Sequence, residues 1–107
     1  MNRKLVFLML IVSVAMPVLA YADATPDAAA IYKAKCAMCH GADGAGQTPT
    51  GKSMKVRDLR SAEVQKMTDA ELTKVIADGK GKMPAYKAKL SAEETQMLVT
   101  FIRQLKK

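Results

Sequence analysis

Three apolar patterns divide this chain. Residues 5–22 are nearly all apolar. Two later segments place apolar residues at helical spacing, in Leu72, Val75 and Ile76 and then in Met97, Leu98, Phe101, Ile102 and Leu105. Apolar positions that recur every three or four residues predict amphipathic helices with one buried face. No alternating run predicts a strand, so the pattern indicates an all-α domain.

Polar residues mark where the two amphipathic helices begin. Thr68 and Glu71 form one capping box, and Ser91 and Glu94 form a second. In such a box the hydroxyl accepts from a backbone N–H three residues later, and the carboxylate accepts from the N–H of the cap. Gly79 is expected to end the first of these helices, because glycine favours the position after a helix C-terminus.

An earlier helix is predicted from local signals alone. Thr25 can cap it, Pro26 suits its first position, and Gly41 is expected to end it. Glycine and proline residues between positions 44 and 51 predict an irregular loop. Residues 61–65 predict a short helix or turn. With the three helices above, this gives about four helices.

The first 22 residues have the three parts of a secretory signal peptide. Arg3 and Lys4 precede the apolar run, which ends in the small residues Ala20 and Ala22. We expect cleavage after residue 22, leaving a mature domain of residues 23–107 that is periplasmic or otherwise exported. An uncleaved membrane anchor is the alternative, because the run approaches the roughly 18 residues that suggest a span. Pro17 and the Ala-x-Ala ending favour cleavage.

The mature domain is short and carries few large side chains. It lacks tryptophan, and its aromatic residues are Tyr32, Tyr86 and Phe101. Domains of this size are only marginally stable without a disulfide, a metal or a cofactor. The formal charge is +7 for the whole chain, and removal of Arg3 and Lys4 leaves +5. This balance favours acidic partners, and no motif predicts nucleic-acid binding.

Cys36, Cys39 and His40 form the most informative motif. On a helix these positions share one face, being separated by three and four residues. The spacing is typical of a c-type haem site, in which two thiols form thioethers with the haem vinyl groups and the histidine binds the iron. Haem c is therefore the predicted cofactor, with His40 as proximal iron ligand.

Other sites can use two cysteines at this spacing. A thioredoxin-like redox pair requires a strand-helix-strand context, which is missing here. Structural zinc requires four ligands, whereas the whole chain has two cysteines and one histidine. A disulfide between Cys36 and Cys39, with His40 incidental, remains possible in an exported protein.

The second axial ligand has several candidates. Because His40 is the only histidine, a second imidazole from the same chain is excluded. Met83 is the predicted distal iron ligand, since it lies in a loop and Pro84 favours an extended backbone at the residue before it. Met54, a lysine or an open iron are the alternatives. Methionines at apolar helix positions, such as Met67, are more often packing residues.

Taken together, the haem motif, the segment Gly79-Lys80-Gly81-Lys82-Met83-Pro84-Ala85-Tyr86 and the amphipathic last helix resemble the class I mono-haem cytochromes c. The resemblance covers the mature chain. It implies about four helices around one covalent haem, with Ile31 or its neighbours in the first helix buried against the Phe101 face of the last. It also implies a loop carbonyl that accepts from the ring of His40, for which Pro49 is the candidate, unless Pro49 only shapes a turn.

The expected function is that of an electron carrier rather than an enzyme. Iron held between His40 and Met83 has no open position, so it changes oxidation state without binding a substrate. The alternative is a haem enzyme or ligand sensor, of the small peroxidase type, with a displaceable sixth ligand. The resemblance implies a monomer that exchanges electrons with redox partner proteins and is not inserted in a membrane. Acidic partner surfaces are expected to meet the basic residues Lys80, Lys82, Lys87 and Lys89.

Overall fold

The computed structural model describes residues 13–15 and 27–105. Six helices fall in this part of the chain: α1 (Ala28–Lys35), α2 (Ala37–His40), α3 (Pro49–Met54), α4 (Ala62–Gln65), α5 (Asp69–Asp78) and α6 (Ala92–Gln104). Two of them, α2 and α4, have only four residues. The described residues contain no strand, so the predicted all-α class is confirmed. The predicted signal peptide, apart from residues 13–15, and the cap at Thr25 and Pro26 lie outside the described residues.

The helix that carries the haem motif is interrupted at Cys36. The sequence predicts one continuous helix up to Gly41, but the Cys36 backbone departs from ideal helical geometry (φ −115°), and α2 starts anew at Ala37. Asp27 caps α1, its carboxylate accepting from the Ala29 N–H at 3.3 Å. Gly41 ends α2 as predicted, with a φ of 80° that favours glycine.

The loop predicted between residues 44 and 51 is partly wrong, because α3 begins inside it. Thr48 is its N-cap and accepts from the Gly51 N–H, while Pro49 occupies the first helical position. Proline suits that position because its missing N–H would have no partner there. The short helix predicted at residues 61–65 is confirmed as α4, which Ser61 caps.

Both predicted capping boxes are present. Thr68 and Glu71 exchange the two expected hydrogen bonds at the start of α5, and Ser91 and Glu94 do so at the start of α6. Gly79 ends α5 as predicted. None of the helices in the described part of the chain is both long and apolar enough to cross a bilayer.

The core forms where α1 and α5 pack against α6. Tyr32 of α1 lies against Phe101 of α6, with ring centroids 4.8 Å apart, so the predicted contact between the first and last helices is confirmed. The buried residues of this core are Ile31, Tyr32, Val64, Leu72, Ile76, Leu90, Leu98, Val99 and Ile102. Several of them also form one wall of a cavity, which is the candidate site.

Candidate haem site

A cavity of about 520 Å³ brings together the four predicted site residues. Cys36, Cys39, His40 and Met83 all line it, together with core residues such as Leu98. Small-molecule and cofactor pockets usually have volumes of roughly 300–1,000 Å³ and mostly apolar walls. The cavity is therefore large enough for a cofactor, and its reactive side chains come from two distant segments of the chain.

The haem-attachment motif, formed by Cys36, Cys39 and His40, has the helical geometry that its spacing predicts. The Cys36 carbonyl accepts from the Cys39 N–H at 3.2 Å and from the His40 N–H at 2.9 Å, which places the three side chains on one face. Neither thiol is in a disulfide. Burial, partly offset by Lys35, raises the pKa of Cys36 to about 11. Reactive redox cysteines have a lowered pKa instead, so the environment argues against a thioredoxin-like pair.

Thr48 connects the attachment motif to α3. Its hydroxyl lies 2.8 Å from the Met38 carbonyl oxygen and 3.0 Å from that of Cys39, to which it donates in a shared hydrogen bond. The Thr48 hydroxyl oxygen also accepts from the Gly51 N–H at 2.8 Å. The Gly46 N–H donates to the His40 carbonyl at 2.7 Å. The backbone on both sides of His40 is therefore held by α3 and the turn before it.

The His40 imidazole is largely buried. Burial lowers its pKa below the usual value, and the backbone of Arg57 partly opposes this shift. Nδ1 is buried without a hydrogen bond of normal geometry. The predicted hydrogen bond to the Pro49 carbonyl is therefore not observed; Pro49 begins α3, and the backbone group that acts on the His40 ring is that of Arg57. An imidazole that burial keeps neutral is suited to bind a metal.

Met83 is carried by a tight turn between α5 and the segment before α6. The Lys80 and Met83 backbones exchange hydrogen bonds of 3.0 and 3.2 Å. Gly79 has a φ of 75°, and a β-carbon there would lie 2.6 Å from the Met83 carbonyl oxygen, so this close approach requires glycine. Met83 also packs against the buried core.

Met83 is not the only thioether at the cavity. Met54, the alternative ligand, lines it from the last turn of α3, and Met67 lines it as well. α3 packs directly against α2, the helix that ends with His40. Met54 therefore comes from an element on the side of His40, whereas Met83 comes from a separate segment attached to α5.

Two tyrosines of the cavity wall bind the ends of the attachment motif, and sequence reasoning did not assign them this role. The Tyr32 hydroxyl donates to the Gly41 carbonyl at 2.6 Å, just after the motif. The Tyr86 hydroxyl donates to the Lys35 carbonyl at 3.0 Å, just before it. Tyr86 lies three residues after Met83, and this proximity in sequence is the one signal that pointed to its position.

The mouth of the cavity is basic. Five exposed cations are among its lining residues, whereas no acidic residue is found among the described ones that line it. The cations are Lys35, Lys55, Arg57, Lys80 and Lys82. Two of the four lysines predicted for this surface are therefore present, while Lys87 and Lys89 lie outside the cavity lining.

The residues present fit a covalently attached haem. Two free thiols and a buried imidazole share one face, a thioether approaches from another segment, and apolar core side chains complete the walls. A zinc site is not supported, because no three His, Cys, Asp or Glu side chains converge within residues 13–15 and 27–105. The donor set is the one that c-type haem uses.

Comparisons with known proteins point the same way. A family model described as "Cytochrome C oxidase, cbb3-type, subunit III" matches residues 23–102. Cytochrome c6 from Leptolyngbya boryana is 35% identical over 79 residues, which are 71% of this chain and 89% of that protein.

Solved structures of c-type cytochromes are also similar. The KustC0563 c-type cytochrome is 35% identical with a TM-score of 0.71, over 76% of this chain and 99% of the other. Cytochrome c6C from Synechococcus sp. PCC 7002 is 31% identical with a TM-score of 0.57, over 73% of this chain and 92% of the other.

Proposed function

This chain belongs to the class I mono-haem c-type cytochromes, and from that premise we propose that it is an exported one-electron carrier with His40 and Met83 as axial iron ligands. Membership implies a covalently bound haem c. The observation that carries the proposal is one cavity lined by both thiols, the single imidazole and the Met83 thioether.

Each residue has a distinct part in this proposal. When bound, the haem supplies a reversible one-electron change at its iron. Cys36 and Cys39 would hold it through thioethers, and His40 would bind the iron with its second ring nitrogen. Met83 would occupy the remaining position from the opposite segment. The apolar walls exclude water and so disfavour the extra positive charge of the ferric state, which raises the reduction potential.

Replacement of each candidate thioether tests the ligand assignment. In Met83→Ala, the reduction potential should fall by on the order of 100 mV, within the roughly 0.8 V over which axial ligands set haem potentials. The methionine-to-iron charge-transfer band should also disappear. Met54→Ala is the matched control and should leave both the potential and the band unchanged. Redox titration and visible spectroscopy of the purified haem protein give both readouts.

The outcomes separate the ligand from the function. If Met54→Ala loses the band and Met83→Ala keeps it, the electron carrier remains but its ligand is Met54. If the unsubstituted ferrous protein binds carbon monoxide rapidly, the iron is open and the haem enzyme or ligand sensor becomes the better description. Against that alternative, His40 is the only histidine, so no second imidazole can act as acid or base at the cavity.

Export is the second part of the proposal. We expect removal of residues 1–22 and a mature domain of residues 23–107 outside the cytoplasm, in the periplasm or an equivalent compartment. The family match supports this boundary, because it begins at residue 23. Intact-mass measurement of the exported protein is the test. A membrane-bound product that retains Met1 would contradict cleavage.

The partners are proposed to be redox proteins with acidic docking surfaces, met by the chain as a monomer. The five exposed cations at the cavity mouth and the absence of acidic residues among its described lining support this. Such a charge distribution accelerates encounter more than it strengthens binding. Arg57 is partly neutralised by an exposed ion pair with Glu63 at 3.1 Å, which leaves the lysines as the principal cations.

A further inference from the structure

We infer that the Tyr86 hydroxyl is a latch: its hydrogen bond holds residues 79–86, the Met83 segment, against the haem-attachment motif. Tyr86 is then a positioning residue for Met83, the proposed sixth ligand. This inference rests on the proposed function, because it requires Met83 to bind the iron. The observation behind it is a separate one: a side-chain hydrogen bond joins the segment that carries Met83 to the end of α1, and both line the cavity.

The acceptor of this bond is a helix-end carbonyl. Lys35 is the last residue of α1, and the Cys39 N–H that would continue the helix donates to Cys36 instead. Carbonyls in the last turn of a helix lack partners within the helix. The Tyr86 hydroxyl donates to the Lys35 carbonyl at 3.0 Å, across 51 positions of sequence. The contact therefore satisfies a free acceptor directly before the first haem-binding cysteine.

The Tyr86 side chain is held in place from its own segment. Its backbone N–H donates to the Ile76 carbonyl of α5 at 3.0 Å, and its carbonyl accepts from Lys89 and Leu90 at 2.9 Å each. The ring lines the cavity and packs against the buried core. Burial raises the pKa of Tyr86, so the hydroxyl remains a protonated donor at neutral pH.

Few hydrogen bonds restrain the turn that carries Met83. Gly79 and Gly81, which flank Lys80, both have positive φ, and two backbone hydrogen bonds between Lys80 and Met83 close the turn. The segment is thus anchored to α5 at Tyr86, and the hydroxyl adds the tie to α1 on the other side of the cavity. Without that tie the Met83 segment can move away from the iron at a lower free-energy cost.

Imidazole binding to the ferric haem protein tests the latch. Imidazole competes with Met83, so its apparent affinity rises as the Met83-bound state becomes less stable. In Tyr86→Phe the ring is kept and only the hydroxyl is lost. We expect imidazole to bind about fivefold more tightly, the change that loss of one ordinary hydrogen bond produces. The charge-transfer band should remain in the absence of imidazole.

A double-mutant comparison makes the assignment specific to Met83. Met83→Ala should raise the imidazole affinity strongly, and adding Tyr86→Phe to it should have no further effect, because there is no methionine left to position. An equal effect in both backgrounds would overturn the latch, since Tyr86 would then control access to the cavity. If Met83→Ala raises the affinity and Tyr86→Phe does not, the latch alone fails. If Met83→Ala has no effect, the ligand assignment fails first.

Discussion

Single hydroxyl groups fix the chain on both sides of the haem-attachment motif. Tyr32 binds the Gly41 carbonyl behind it, and Tyr86 binds the Lys35 carbonyl in front of it. The two bonds differ in their surroundings. Gly41 is buried, whereas the bond to Lys35 is at the surface. Water can replace the lost donor at the exposed Lys35 carbonyl but not at the buried Gly41 carbonyl, which would keep only the Gly44 N–H at 3.1 Å. The two hydroxyls therefore contribute unequally to stability.

Tyr32→Phe is expected to lower the free energy of unfolding by about 0.5–1.5 kcal/mol, the usual net contribution of one hydrogen bond, because the Gly41 carbonyl still accepts from the Gly44 N–H at 3.1 Å. In a domain of this size each kcal/mol corresponds to roughly 4–8 °C in melting temperature. Tyr86→Phe, the same chemical change at an exposed acceptor, should cost less. Denaturant unfolding of both haem proteins measures the difference, and equal losses would show that burial of Gly41 has no special role.

The Tyr32 hydroxyl also predicts a pH dependence. Burial raises the pKa of Tyr32 to about 12, with smaller effects from Asp43 and, while its thiol is free, from Cys36. In the unfolded chain the pKa is about 10. The neutral hydroxyl therefore stabilises the native state fully below about pH 10, and this contribution is lost as the pH rises from about 10 to 12. The unfolding free energy of Tyr32→Phe should decline less steeply over the same range.

At the scale of the helices, the close approach of α2 and α3 depends on one glycine, Gly51. α2 and α3 pack so tightly that a β-carbon on Gly51 would overlap the Cys39 carbonyl oxygen and lie 2.8 Å from that of Gly46. Both obstacles are backbone atoms, which cannot rotate away. Because Cys39 is a proposed haem-attachment residue and its neighbour is His40, this contact sets the position of the motif relative to α3.

Gly51→Ala should therefore destabilise the haem protein by about 2–3 kcal/mol, in the range expected for overpacking that the backbone must absorb. Incomplete haem attachment is expected as well, because the backbone at Cys39 has to shift. Gly81→Asn is the control: Gly81 has open space around it, and asparagine tolerates its φ of 58°. Melting temperature and haem content by mass spectrometry report both effects. A Gly51→Ala protein with normal values would contradict the tight contact.

The sequence predicted helices best where chemistry is local. The capping boxes at Thr68 and Ser91 require only residues three positions apart, and both helices begin where predicted. The sequence does not predict α3, because Gly51 is one of the residues that indicate a loop there. That glycine is required by the packing of α3 on α2, a long-range contact that local propensity does not contain.

The candidate site follows the same division. Cys36, Cys39 and His40 were predicted from spacing alone, and Met83 from its loop and Pro84, and all four line one cavity. The predicted hydrogen bond from the His40 ring to the Pro49 carbonyl is not observed, and Pro49 begins a helix that the loop pattern does not predict. The partners of Tyr32 and Tyr86 lie 9 and 51 residues away in sequence, where spacing carries no information.

For the whole molecule, cofactor and core are parts of one packing unit. Leu72, Ile76, Leu98 and Ile102 are buried core residues and also line the haem cavity. The mature domain has few aromatic side chains to fill that volume, so the haem supplies apolar bulk that the sequence lacks. The polar end of the same cavity is bordered by exposed cations. One arrangement of helices thus provides both the cofactor site and the basic surface that we propose a partner meets.

The position of these charges, and not only their number, should govern electron transfer. Lys35, Lys80 and Lys82 line the cavity mouth and are exposed. Their triple replacement by glutamine should slow oxidation of the ferrous protein by the anion ferricyanide by roughly three- to tenfold at low salt, the lower range of electrostatic steering. Stopped-flow rates at increasing ionic strength measure this.

A matched triple variant distinguishes local from net charge. Lys33, Lys52 and Lys66 are also exposed but lie outside the cavity lining. Their replacement by glutamine removes the same total charge. It should slow the reaction with ferricyanide much less. The two variants should converge near 1 M salt, because the Debye length falls from roughly 10 Å at 0.1 M to 3 Å. Equal slowing at low salt would mean that the rate with ferricyanide depends on net charge. This result would contradict the cavity mouth as the docking surface.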